Sequence, residues 1–102
     1  MPGLVACVLV VWLGFGVGAR PAAAAEAEGQ AIAERWCAAC HIVGPDQAAA
    51  VEGVPSFASI ANARDEAAIR GFLFDPHPPM PQFNLTKRQV DDVVDYIAGL
   101  KE

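Results

Sequence analysis

The stretch Cys37-Ala38-Ala39-Cys40-His41 decides how the rest of this chain folds. Two cysteines three positions apart, followed directly by a histidine, can form thioether bonds to a haem while the imidazole binds its iron. The motif therefore predicts one covalently bound haem c, attached through Cys37 and Cys40 and ligated by His41.

Two other interpretations of the motif are open to test. A dithiol of the thioredoxin type is expected within a βαβ pattern, but residues 27–36 favour a helix. A structural zinc site needs four ligands, and beyond the motif residues 26–102 offer only His77 as another typical nitrogen or sulfur ligand. Covalent haem attachment is the interpretation we prefer.

An apolar segment precedes the motif. Residues 4–19 carry no charge and are followed by Arg20, Pro21 and four alanines, which is typical of the apolar region and cleavage zone of a secretory signal peptide. We predict a signal peptide over residues 1–25 and one domain over residues 26–102. The run is shorter than the roughly 20 residues of a spanning helix. No Lys or Arg precedes it, however, so an uncleaved N-terminal anchor stays an alternative.

The cysteine content agrees with export, and the net charge bears on the class of partner. Cys7 opens the apolar run, where a lipoprotein cleavage box is not expected, so we interpret it as part of the leader. Cys37 and Cys40 would be consumed by thioether bonds, leaving the exported domain without a free thiol or a disulfide. The formal net charge of -5 argues against nucleic acid as a partner and favours a protein with a basic face.

Helices are predicted on both sides of an irregular segment. The first covers residues 26–39, and residues 42–56 carry turn signals without a sustained period. Residues 57–62 hold one short helical turn. A clearer helix covers residues 65–74, with Asp65 as its N-cap.

The last helix opens at Thr86 and has complete start signals. Thr86 and Gln89 form a capping box, and Leu85 with Val90 form a hydrophobic staple. An apolar stripe follows at helical spacing, formed by Val90, Val93, Val94, Ile97 and Leu100. The aspartates of this helix are predicted to face solvent; they are Asp91, Asp92 and Asp95.

Met80 is the predicted second axial ligand. It stands among Pro78, Pro79 and Pro81, and such stiff, irregular backbone would pre-position a ligand, whereas a core methionine normally lies in a helix or strand. His77 is the competing candidate, which we interpret as a surface residue.

Pro55 and Gly29 each have two interpretations. The Pro55 carbonyl can accept the second N–H of a haem-binding histidine, or the residue simply ends a turn. Gly29 costs about 1 kcal/mol relative to alanine inside a helix. It either permits the close approach of another helix or lies in a frayed first turn.

Together these features resemble the small class I c-type cytochromes of bacteria. The resemblance covers residues 29–101 and rests on the Cys-x-x-Cys-His motif, Gly53-Val54-Pro55-Ser56-Phe57, His77-Pro78-Pro79-Met80-Pro81 and the last helix with Tyr96. It implies an all-α cytochrome c fold, with three main helices and loops wrapped around one haem.

The resemblance also implies roles for individual residues. Cys37 and Cys40 would hold the haem, His41 and Met80 would be its axial ligands, and the Pro55 carbonyl would orient His41. The first and last helices would cross near Gly29 and Tyr96. The chain departs from the family at Ala33, where an aromatic residue is frequent, and Trp36 is the candidate to compensate.

A six-coordinate iron offers no position for a substrate, so the predicted function is a periplasmic electron carrier and not an enzyme. It would take one electron from a reductase or dehydrogenase and deliver it to an oxidase, as a monomer, with membrane anchoring only if the leader is retained. An electron-transfer subunit of a larger dehydrogenase complex is one alternative. A haem-based ligand sensor, with a labile Met80, is another; a free-standing peroxidase is disfavoured because no distal acid-base set accompanies the haem.

Overall fold

Four α-helices form the fold in the computed structural model, which describes residues 3, 7–10, 14 and 20–102. They are α1 (Ala22–Trp36), α2 (Phe57–Ala63), α3 (Glu66–Phe74) and α4 (Lys87–Ala98). Within these described residues there is no strand, so the predicted all-α class is confirmed. None of the helices described has the length and apolar character needed to cross a bilayer. The predicted signal peptide lies largely outside the described residues.

The first helix starts earlier and ends earlier than the sequence predicts. It begins at Ala22 instead of Glu26, because alanine has the strongest helix propensity of all residues. It ends at Trp36, immediately before the Cys-x-x-Cys-His motif, and not at Ala39. The short turn predicted at residues 57–62 is the seven-residue helix α2.

The predicted caps of α3 and α4 are confirmed. The Asp65 side chain accepts a hydrogen bond of 2.8 Å from the Ala68 N–H. The Thr86 hydroxyl accepts from the Gln89 N–H at 3.1 Å, while the Gln89 side chain accepts from the Thr86 N–H at 2.8 Å. Both halves of the capping box are therefore present, and the start of α4 is determined locally.

Helices α1 and α4 touch main chain to main chain at Gly29. A methyl group placed on Gly29 would overlap the carbonyl group of Asp92 and lie 2.8 Å from Tyr96 Cβ. Gly29 is buried in this contact, which decides between its two interpretations: the glycine is there for close helix approach.

Tyr96 connects the helix crossing to the loop that follows the motif. Its hydroxyl donates a hydrogen bond to the carbonyl of Val43, and its ring lies 6.4 Å from that of Phe57. Tyr96, Val43 and Phe57 are all buried in one apolar cluster. The side chain that marks the crossing thus also holds the loop.

Two predictions about side-chain position are wrong. Asp92 was expected to face solvent, but it is only 5% exposed, because α4 is covered by Arg20 as well as by α1. Trp36 does not fill the place of the missing aromatic residue; it is 45% exposed and packs against Phe83 at 6.0 Å. The fully buried Ala33 stands at that position.

We predict that Gly29→Ala lowers the free energy of unfolding by at least about 3 kcal/mol, because the added methyl group forces two main chains apart. Gly71→Ala is the matched control, since nothing lies within 4 Å of the position of its methyl group. That change should stabilise α3 by about 0.5 to 1 kcal/mol. Denaturant unfolding of the purified variants measures both, and similar losses in the two would contradict the close contact.

We predict that the burial of Tyr96 makes the protein less stable in alkali. Burial, with a smaller contribution from the charge of Glu34, raises the pKa of Tyr96 above its ordinary value of 10.0. The unfolded chain therefore loses the phenolic proton first, and the free energy of unfolding falls as pH rises above about 10. Denaturant unfolding between about pH 8 and pH 11 should show this fall, and Tyr96→Phe should remove part of it. Parallel curves for the two proteins would contradict the prediction.

Candidate functional site

The motif forms a turn that continues directly from α1. The Cys37 N–H bonds to the Ala33 carbonyl at 2.8 Å, and the N–H groups of Cys40 and His41 both bond back to the Cys37 carbonyl, at 3.1 and 2.9 Å. Cys37 is buried and Cys40 is exposed. Before a haem is attached, burial raises the pKa of the Cys37 thiol to about 11, so the thiol is protonated at physiological pH.

The His41 ring is held from two sides. Its Nδ1 lies 2.6 Å from the carbonyl oxygen of Pro55, and its ring packs against Phe57 with centroids 5.4 Å apart. Because a carbonyl can only accept, Nδ1 must carry the hydrogen in this bond. Nε2 is then the nitrogen with the lone pair that a metal needs.

The loop after His41 returns to the motif through its main chain. The Val51 N–H bonds to the Cys40 carbonyl at 3.2 Å, and the Phe57 N–H bonds to the Ile42 carbonyl at 2.9 Å. Gly53, between these two points, has a φ of 83°, in the left-handed region that favours glycine. This turn is what brings the Pro55 carbonyl back to the histidine.

Gln47 is a site residue that the sequence reasoning missed. Its side-chain oxygen accepts from the Val43 N–H at 3.0 Å. Its amide nitrogen lies 3.0 Å from the Ala38 carbonyl, 2.8 Å from that of His41 and 3.2 Å from that of Ala49. One half-buried side chain thus joins the motif to the loop; a lone Gln in an irregular segment gives no sequence signal for this.

Met80 lies on the separate segment that joins α3 to α4. It is half-buried, and its N–H bonds to the His77 carbonyl at 3.1 Å. The contact between Trp36 and Phe83 ties this segment to the end of α1, since Trp36 directly precedes Cys37 and Phe83 lies three residues after Met80. His77 is exposed and its ring meets Phe72 edge-on at 5.4 Å.

The structure therefore brings Cys37, Cys40, His41 and Pro55 into one turn and loop, and it secures the Met80 segment beside the same helix end. Two cysteines lie in the turn, and an imidazole whose Nδ1 is bonded to the Pro55 carbonyl follows them. This donor set fits a covalently attached haem, since a ligating histidine commonly donates its other N–H to a carbonyl.

Comparisons with known proteins show which family the chain resembles. A family profile described as "Cytochrome C oxidase, cbb3-type, subunit III" matches residues 24–97. The chain is 46% identical, over 81 residues, to a protein named Cytochrome c-552 from Bradyrhizobium diazoefficiens, which covers 78% of each chain. No solved structure matched the chain.

We predict that Gln47→Glu lowers the free energy of unfolding by about 2 kcal/mol at neutral pH, because a carboxylate cannot donate and would face three carbonyl oxygens. Gln82→Glu makes the same chemical change on an exposed side chain and should change stability by less than about 0.5 kcal/mol. Denaturant unfolding of the haem-containing proteins measures both. Equal effects would show that the Gln47 bonds do not hold the loop.

Proposed function

This chain belongs to the family of small bacterial c-type cytochromes, and on that premise we propose that it is a periplasmic electron carrier with His41 and Met80 as axial ligands. Members of this family carry haem c and transfer electrons, and they interact with redox partner proteins; they are not enzymes. The bond from His41 Nδ1 to the Pro55 carbonyl, next to both motif cysteines, is the observation that carries the proposal.

The chain's own residues would bind and orient the cofactor. Cys37 and Cys40 would supply the thioether sulfurs, and His41 would bind through Nε2 with its ring orientation set by Pro55 and Phe57. When bound, the haem supplies a one-electron couple between ferrous and ferric iron. Because Pro55 and Phe57 hold the His41 ring, little movement of this ligand would accompany the change of oxidation state, which would lower the cost of reorganisation during transfer.

Met80 is the better candidate for the second axial position. The Trp36–Phe83 contact secures its segment beside the motif, and the flanking prolines restrict its backbone. The ring of His77 packs edge-on against the ring of Phe72 instead. A thioether ligand raises the reduction potential, which suits a carrier near the oxidising end of an electron-transfer chain.

The acidic charge of the chain supports transient contact with partners. A net charge of -5 favours encounter with a basic docking face, and such contacts weaken as salt rises. We propose a reductase or dehydrogenase as the donor and an oxidase as the acceptor. Export would be directed by the apolar segment before Arg20.

A subunit of a larger redox complex is the second candidate. The matched profile is named for an oxidase subunit, and the compact helical domain described here would serve either role. Extraction of the native protein distinguishes the two, because a free carrier runs at the size of one chain on gel filtration.

We predict that Met80→Ala opens the sixth coordination position. The reduced variant should bind carbon monoxide rapidly and show a lower reduction potential, because the soft thioether that favours the ferrous state is gone. The unaltered reduced protein should keep its six-coordinate optical spectrum under carbon monoxide.

His77→Ala is the matched control, since it removes the competing ligand from the same segment. It should leave both the spectrum and the potential close to those of the unaltered protein. If His77→Ala opens the site and Met80→Ala does not, the axial pair is two histidines.

A further inference from the structure

Asp92 is the one charged side chain in the buried core of the described residues. Its carboxylate pairs with the Arg20 guanidinium, whose side chain is itself about three-quarters covered, at 26% exposed. A buried carboxylate without a counter-charge is strongly destabilising. Arg20 therefore belongs to the folded domain, although the sequence alone assigns it to the leader.

The residues between Arg20 and Glu26 are also part of the fold. The Pro21 carbonyl accepts from the N–H groups of Ala24 and Ala25, at 3.0 and 3.2 Å, and so closes the first turn of α1. Ala25 is 7% exposed. A chain cut after Ala25 would lose this turn and, with it, the partner of Asp92.

A second cleavage triplet stands directly before Arg20. Val17-Gly18-Ala19 has a small residue at its last position and the short aliphatic Val17 two before it, which resembles an A-x-A site. Cleavage there keeps every contact described above. The order of residues and the contacts of the fold thus point to the same bond.

We propose that the chain is processed between Ala19 and Arg20 by a peptidase of the secretory pathway, and that Arg20 is kept as the counter-ion of Asp92. Water hydrolyses the Ala19–Arg20 amide, leaving a carboxylate on Ala19 of the leader and an ammonium group on Arg20 of the domain. The cleavage rests on the exported role proposed above, whereas the Arg20–Asp92 pairing does not.

The intact mass of the haem-containing protein tests the position. The full chain is expressed in a host that exports it and attaches haem, and the expected mass is that of residues 20–102 plus haem. Ala19→Phe should block this cleavage, because a bulky side chain replaces the small one. Ala23→Phe, which alters the exposed third residue before Glu26, should leave the mature N-terminus at Arg20.

Other masses overturn different parts of the proposal. A haem-containing chain that begins at Glu26, or still at Met1, would overturn the cleavage position while leaving the carrier function intact. A full-length chain without haem would overturn the exported role and the cleavage together.

The pairing is tested by a double-mutant cycle on the haem-containing protein. Arg20→Gln and Asp92→Asn should each lower the thermal midpoint by about 5 °C or more. The double variant should have a thermal midpoint no lower than that of the less stable single variant, because the two changes remove one shared interaction. Simple addition of the two shifts would overturn the pairing.

The more exposed ion pair Arg70–Asp91 supplies the matched control. Arg70 Nε lies 3.0 Å from Asp91 Oδ1, and the side chains of Arg70 and Asp91 are 37% and 40% exposed. Arg70→Gln should therefore shift the midpoint by no more than about 2 °C, as is usual for a surface ion pair. A shift equal to that of Arg20→Gln would overturn the special role of the buried pair.

Discussion

The contact of α1 with α4 at Gly29 is the constraint on which the rest of the structure depends. Because the two main chains touch there, the side chains on either side of the crossing have little freedom. Tyr96 is the most important of them, since its hydroxyl holds Val43 and its ring packs on Phe57. Phe57 in turn packs on His41. A short series of contacts thus runs from the helix crossing to the candidate iron ligand.

The loop after the motif contains no helix or strand, but its conformation is determined by its hydrogen bonds. Gln47 joins four main-chain groups. Gly53 is the one residue with a positive φ in the part of the chain that the structure describes. The result is a carbonyl, that of Pro55, placed within hydrogen-bond distance of the imidazole. Irregular backbone is suited to this task because a helix or strand would use that carbonyl in its own hydrogen-bond ladder.

Electrostatic and apolar contacts tie the outlying segments to this centre. The buried Asp92 anchors the residues before α1 through Arg20, and Trp36 anchors the Met80 segment through Phe83. In each contact only one of the two residues lies in a helix, namely Asp92 in α4 and Trp36 in α1. The first contact holds the residues before α1 against α4, and the second holds the Met80 segment against the end of α1, immediately before the motif.

The sequence by itself determined the helical class, the motif and the caps of α3 and α4, because each of these depends on residues within one turn of one another. It also identified Pro55 as a candidate from its carbonyl group, and Met80 from its thioether side chain and flanking prolines. It could not place Gln47 or Trp36, whose contacts are with segments distant in sequence. It misplaced Asp92 because helical periodicity separates polar from apolar faces but does not tell whether a charged partner covers the polar one. Only the tertiary structure decided that Gly29 is a contact point and that Arg20 pairs with a buried Asp92, since burial is a property of packed neighbours and not of a residue's own position in the chain.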